Sequence, residues 1–260
     1  MCLRKVLIYV IVMISCTNPE YGSNYDYMPS DHIKEYRAYF NVHRVSQSFV
    51  YIQNLMELKI ETCNENGICT IKNVNINSSI GSGMTIKRKG KTYVITAGHV
   101  CEPRFYNSEL LIYDYMGETQ ITITGTGYYN NQSKFTILGL DVVRDVCILE
   151  ALDTWESPGL TLAKKAPKQG EVVYMASAPY GIFEPGMILV YDGYFAGFDS
   201  DHDMIVSIPT RPGSSGSSIV DKNEKVVGVI HSAILDMENI GIGTPIDVVH
   251  ELFDQIDNKN

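Results

Sequence analysis

No block of lysine or arginine occurs anywhere in the 260 residues, and acids outnumber basic residues 30 to 21, giving a net charge of −9. Phosphate backbones are bound by clustered cationic faces that release counterions, so a nucleic-acid partner is excluded. The six histidines, at 32, 43, 99, 202, 231 and 250, show no ligand spacing, and neither Cys-x-x-Cys nor His-Glu-x-x-His occurs. No metal site is expected. Internal repeats and low-complexity tracts are missing too, and a chain with 45% hydrophobic residues is neither collagen, coiled coil nor wholly disordered.

The one conspicuous apolar run, residues 6–14 (VLIYVIVMI), follows Arg4 and Lys5 and falls short of the ~20 residues that a membrane span needs. A basic start followed by a short apolar stretch is a secretory signal pattern, so residues 1–15 read as a signal peptide and the protein as exported. Met13-Ile14-Ser15-Cys16 resembles the bacterial lipoprotein cleavage box, with Met where Leu is usual. That resemblance implies a lipid on Cys16; a plain signal peptide cut nearby and an uncleaved interfacial anchor are the other readings. Membrane attachment is expected only through this anchor, and the protein is otherwise secreted. Residues 16–43 are polar, rich in Tyr and Asn and broken by prolines. They read as a tether leading into one domain over residues 44–260.

Within that domain, short apolar runs rich in β-branched and aromatic residues alternate with Gly, Asn, Asp and Pro turns: FVYIQNLMELKI, GMTIKRKGKTYVITA, LLIYDY, TQITITGTGYY, FTILGLDV, DVCILEAL, GEVVYMASA, GMILVYDGYFAGF, MIVSI and KVVGVIHSAIL. Many short strands at such spacing indicate an all-β sandwich or barrel. Only the end differs. There Ile246, Val249, Leu252, Phe253 and Ile256 recur at helical spacing after Thr244-Pro245, which predicts a closing helix with Thr244 as N-cap and Pro245 in the first turn.

Three segments carry chemistry. Thr96-Ala97-Gly98-His99 ends a strand, Arg144-Asp145 precedes the apolar run Val146-Cys147-Ile148-Leu149, and Gly213-Ser214-Ser215-Gly216-Ser217 forms a glycine-bounded turn. A serine hydroxyl becomes nucleophilic when a histidine takes its proton, and that imidazole needs a carboxylate to fix its tautomer and stabilise its charge. Ser215, His99 and Asp145 fill these roles. Asp141 is the competing acid, but Asp145 abuts the apolar strand. The glycines let backbone N–H groups converge on a developing oxyanion, for which Gly213 and Ser215 are the candidate donors.

The order His, Asp, Ser with Gly-x-Ser-Gly around the last resembles the chymotrypsin-fold (trypsin-like) serine proteases, over roughly residues 44–257. The resemblance implies two six-stranded β-barrels with the C-terminal helix packed on them. Gly81-Ser82-Gly83, Gly170-Glu171-Val172-Val173, Pro179-Tyr180-Gly181 and Gly241-Ile242-Gly243-Thr244-Pro245-Ile246 look like the Deg-type and glutamyl-endopeptidase branch. Ser214 stands where digestive trypsin-like enzymes carry an aspartate, and no Ile-Val-Gly-Gly start occurs, so activation by cleavage of a zymogen is not expected. The chain also stops where Deg-type enzymes begin a PDZ domain, so none is expected.

Specificity is read from the residues before the nucleophile and the strand after it. Pro209, six positions before Ser215, replaces the aspartate that selects Arg or Lys. Pro209-Thr210-Arg211-Pro212-Gly213 resembles picornaviral proteases of this fold, in which a threonine and a later histidine bind a P1 Gln; glutamyl endopeptidases use a similar histidine for Glu. Thr210 and His231 are thus expected to favour Gln or Glu at P1. His231 lies one residue later, relative to Gly228, than in those families, which turns a strand side chain to the other face unless a bulge intervenes. Otherwise it is an ordinary strand residue.

Cys63 and Cys69 flank a turn-rich linker and are expected to form a disulfide in an exported protein. Cys101 and Cys147 each lie two residues past a candidate catalytic residue; a bridge is one reading, but Cys147 is read as filling core space as a small apolar residue. The whole describes an exported serine endopeptidase, monomeric, without cofactor, acting on a protein or peptide substrate through an acyl-enzyme. The rival is a catalytically inactive barrel that binds a peptide or a surface partner.

Overall fold

The computed structural model describes residues 42–259 apart from 235, 236 and 238. The expected signal peptide, Cys16 and the tether up to residue 41 lie outside the described residues. A helix, Val42–Ser48, leads into β1 (Phe49–Cys63), β2 (Cys69–Arg88), β3 (Lys91–Thr96), β4 (Glu118–Gly127), β5 (Gln132–Asp141) and β6 (Val146–Ala151). These close a barrel in the order β1-β2-β3-β6-β5-β4. Then come β7 (Thr161–Leu162), β8 (Val172–Ser177), β9 (Leu189–Phe198), β10 (Met204–Val206), β11 (Ser218–Asp221), β12 (Lys225–Ala233) and β13 (Gly241–Pro245). Their order is β11-β8-β9-β10-β13-β12-β7, and a β11–β12 pairing closes six of them into a second barrel. The short β7 pairs parallel to β12 from outside that ring. The two-barrel, all-β architecture is the expected chymotrypsin-like one.

Alternation dictates what each barrel encloses. In β1 the side chains of Val50, Ile52, Asn54, Met56 and Leu58 are buried and most of those between them are less so, as period 2 requires of a strand with one inward face. Val50, Ile52, Val94, Cys147, Leu149 and Phe135 form the core of the first barrel, and Val173, Met175, Met204, Ile219 and Val227 that of the second. A third core joins them, built from Phe49, Met84, Ile95 and Ile148 of one barrel and Ala176, Val220 and Val229 of the other. Strands such as β3 are apolar on both faces because both are covered.

The closing helix Ile246–Asp257 leaves the second barrel at β13 and packs against β5 and β6 of the first barrel and β12 of the second. Its predicted face, Ile246, Val249, Leu252, Phe253 and Ile256, is buried, each side chain contributing about 1.5–3 kcal/mol of transfer free energy. Phe253 meets Tyr93 edge-on at 5.2 Å, and the Arg88 guanidinium lies 4.7 Å above the Phe253 ring. Gly139 lets the helix approach closely, since a Cβ there would stand 2.8 Å from the end of the Ile256 side chain. One expectation is corrected: Pro245 holds the N-cap position, and the Thr244 hydroxyl donates to the carbonyl of Arg144 instead. A second correction concerns LLIYDY, which forms no strand; it is a 3-10 turn, Ser108–Leu111, followed by a short helix, Ile112–Met116, with most of its apolar side chains exposed. Exposure explains the miss, for nothing on that segment's surface pairs with a sheet.

Two disulfides are present. Cys63–Cys69 closes the tip of the long β1–β2 hairpin as expected. Cys101–Cys147 is also bonded, so Cys147 is not the free space-filler that the sequence suggested. Because the first bond spans 6 residues and the second 46, loop-closure entropy makes the second the stronger constraint on the unfolded chain. Replacing Cys101 and Cys147 by alanine is expected to cost about 2–4 kcal/mol in urea unfolding, clearly more than the same replacement at Cys63 and Cys69.

Candidate active site

His99 sits in a single helical turn, Gly98–Cys101, that directly follows β3. The buried Asn54 of β1 fixes this turn by donating from Nδ2 to the carbonyls of Val100 at 2.8 Å and Cys101 at 2.9 Å. The disulfide to Cys147 ties the same turn to β6. Gly98 gives the turn a close approach, because a Cβ there would press on the Tyr106 hydroxyl and the Asp145 carboxylate. So held, His99 makes two contacts with one carboxylate: its backbone N–H donates to Asp145 Oδ1 at 2.8 Å, and its ring Nδ1 lies 2.7 Å from Oδ2. An ionised carboxylate only accepts, so the proton resides on Nδ1 and Nε2 is left with its lone pair.

Asp145 ends a turn that its competitor builds. Asp141 accepts the N–H groups of Val143 and Arg144 on Oδ1, and its Oδ2 takes the Arg144 guanidinium. The Thr244 hydroxyl holds the Arg144 carbonyl, and Asp145 itself adopts φ +49°, a left-handed conformation that non-glycine residues adopt at some cost. Burial alone would raise the Asp145 pKa, but the His99 ring, the His99 backbone N–H and the charge of His231 outweigh it and hold the carboxyl below its ordinary range. Tyr106 lies edge-on to His99 with ring centroids 5.7 Å apart, and burial, then the nearby Asp145 charge, pushes its phenol up. It stays a neutral hydroxyl, donating to the Val142 carbonyl.

The Ser215 turn belongs to the second barrel but is held by the first. Ser82 of β2 donates its N–H to the Ser215 carbonyl at 2.8 Å and its hydroxyl to the Gly213 carbonyl at 2.8 Å, while accepting the Ala178 N–H at 3.1 Å. Its own carbonyl takes the Thr96 hydroxyl. Gly213 and Gly216 have φ +92° and +87°, and a Cβ on Gly216 would overlap Ser82 and Thr96, the strand end that leads to His99. Of residues 213–220 only Ser215 is not buried. Among the described residues the amides of Gly213 and Ser215 have no hydrogen-bond partner.

Thr210 is buried and donates to the Ile208 carbonyl. It stands beside Gly241 and Ile230, since a Cβ on Gly241 would lie 2.6 Å from the Thr210 hydroxyl and 2.9 Å from Ile230. His231 is elsewhere. Its Nδ1 is 4.0 Å from Asp145 Oδ2 and its Nε2 3.4 Å from Asp203 Oδ1. In β12 the register slips between Ile230 and Ser232, and the bulge aims the His231 ring toward the acids.

A family model, the trypsin-like peptidase domain, matches residues 81–229, which hold His99, Asp145 and Ser215. The chain belongs to this family. Curated relatives include the serine protease HtrA-like proteins of Staphylococcus aureus strains MRSA252 and USA300, each 24% identical over 208 residues, covering 69% of this chain and 24% of theirs. The chain thus spans about a quarter of the length of these relatives. Among solved structures, the serine endoprotease from Yersinia pestis is similar with a TM-score of 0.58 and 18% identity over 83% of this chain and 64% of that one. The HtrA-type protease AlgW with tripeptide gives 0.58 and 18% over 82% and 61%.

Two residues that hold this trypsin-like peptidase domain's site together escaped the sequence reading as such. Ser82 lay inside a quoted motif, but its hydrogen bonds cross between barrels and leave no local pattern. Asn54 did leave one, a lone polar residue in the inward register of Val50, Ile52, Met56 and Leu58. Replacing Asn54 by leucine strands two buried carbonyls, at about 1–3 kcal/mol each. Denaturant unfolding of Asn54→Leu is expected to show a loss of about 2 kcal/mol or more.

Proposed function

We propose that the protein is an exported serine endopeptidase in which Ser215 attacks a peptide carbonyl, His99 takes and returns the proton, and Asp145 holds His99. The observation that carries this reading is the two-point contact of Asp145 with the backbone N–H and Nδ1 of His99. It leaves His99 Nε2 able to accept a proton, as general-base catalysis requires. The amides of Gly213 and Ser215 are the proposed donors to the oxyanion of the tetrahedral intermediate. Collapse of that intermediate, with a proton from His99, expels the amine and leaves an ester on Ser215; water then attacks the ester by the same route and restores the serine. No cofactor enters this chemistry. Two disulfides suit an oxidising compartment, and a lipid on Cys16 would keep the enzyme at a membrane surface.

A fluorophosphonate probe is expected to label the wild type and not Ser215→Ala, with peptide hydrolysis by the variant lower by about 10⁴-fold or more. Equal labelling of the two, or none of either, would favour a peptide-binding barrel without catalysis.

The proposed P1 pocket is floored by Thr210, Ile230 and Gly241. With the Thr210 hydroxyl already donating to the Ile208 carbonyl, the apolar Ile230 beside it and the Arg211 guanidinium turned to the Thr210 carbonyl, the lining suits a small uncharged P1 side chain rather than Glu. Cleavage profiling on a peptide library is expected to rank Ala, Val or Thr above Glu at P1; a profile led by Glu or Gln would return His231 to the pocket.

A further inference from the structure

His231 is the extra residue of the β12 bulge: Ile230 pairs with Gly243 and Ser232 with Ile242, and His231 is left between them. Its ring is largely buried, and both ring nitrogens face carboxylates, Nδ1 at 4.0 Å from Asp145 Oδ2 and Nε2 at 3.4 Å from Asp203 Oδ1. These are ion-pair separations rather than hydrogen bonds, so a neutral imidazole meets the two acids weakly, whereas the imidazolium attracts both carboxylates at once. Asp145 meanwhile already serves His99 through the same Oδ2, so one carboxylate oxygen stands between two histidines.

We propose that His231 is a positioning residue for Asp145, held by Asp203, whose protonation governs how strongly Asp145 favours the charged form of His99. The inference rests on the endopeptidase reading for its consequence in catalysis, though not for the coupling itself. No other charged group competes at this point among the described residues. The Arg144 guanidinium is turned to Asp141 and Glu251, and His202 to Asp247. Tyr106, which faces Asp145 from the loop after the His99 turn, remains neutral.

Two imidazoles around one acid titrate as a coupled system whose macroscopic constants belong to the pair. A charged His231 spends part of the Asp145 field and repels charge on His99, so His99 stays neutral, and competent as a base, to lower pH. Removing His231 gives Asp145 wholly to His99, which then keeps its proton to higher pH. The acidic limit of activity must therefore move up, not down. Asp203→Asn acts in the same direction, because it removes the acid that holds the charge on His231.

The test follows the His99 ring by NMR titration in the wild type and in His231→Asn, together with the pH dependence of fluorophosphonate labelling. In the variant the His99 titration and the acidic limb of labelling are both expected to move up by about 0.5–1 pH unit, a three- to tenfold change in proton affinity. A smaller upward shift is expected in Asp203→Asn, which also carries the test if His231→Asn does not fold. An unchanged or lowered His99 titration in the folded variants overturns the proposal. If the titration moves up but the wild type never labels, the coupling stands and the endopeptidase reading falls.

Discussion

Asp145 accepts two N–H groups from a single residue, His99, one from the backbone and one from the ring, and much of the first barrel is arranged so that this is geometrically possible. Both donors reach one carboxylate only if the helical turn carrying His99 and the turn carrying Asp145 keep a fixed separation. Three constraints supply that. Asn54 anchors the helical turn to β1, the Cys101–Cys147 bond ties it to β6, and Asp141 with Thr244 pins the turn that delivers Asp145 at φ +49°. The lowered pKa of Asp145 is the electrostatic consequence. A carboxylate this buried stays ionised because its hydrogen-bond donors outweigh the desolvation penalty.

The Ser215 turn of the second barrel meets that arrangement at Ser82 of the first. Ser82 spends its amide, hydroxyl and carbonyl on groups around the Ser215 turn and the end of β3, so the turn is registered against the strand that leads to His99. The positive φ of Gly213 and Gly216 folds the turn sharply, and the absence of a Cβ on Gly216 lets it lie against Ser82 and Thr96. The closing helix completes the link: it grows from the second barrel and buries its apolar face in the core that both barrels share. Relative motion of the barrels would have to break this buried network and that apolar contact together.

What could be read from the sequence was what is local. Strands announced themselves through alternation, the helix through Ile246, Val249, Leu252, Phe253 and Ile256, and the His, Asp and Ser segments through turn glycines and neighbouring apolar strands. What escaped depends on partners remote in the chain. LLIYDY has the composition of a strand, but no sheet edge is at hand, and it coils into exposed helical turns. Thr244 has the chemistry of an N-cap, yet the Arg144 carbonyl claims its hydroxyl. Cys147 has the surroundings of a core residue, and a sulfur 46 positions away decides its state.

His231 shows how much a single residue of register decides. In an unbroken strand, side chains alternate between faces, and a residue displaced by one position turns away from its expected partners. The bulge in β12 breaks that alternation but does not return His231 to Thr210; Ile230 occupies that neighbourhood, buried beside Gly241. The extra residue therefore gives neighbouring side chains of one strand different surroundings. Ile230 stays buried in the second barrel beside Gly241, while the His231 ring reaches Asp145 and Asp203. One residue left unpaired in the β12–β13 ladder thus brings a second imidazole within 4.0 Å of the carboxylate that already accepts from His99.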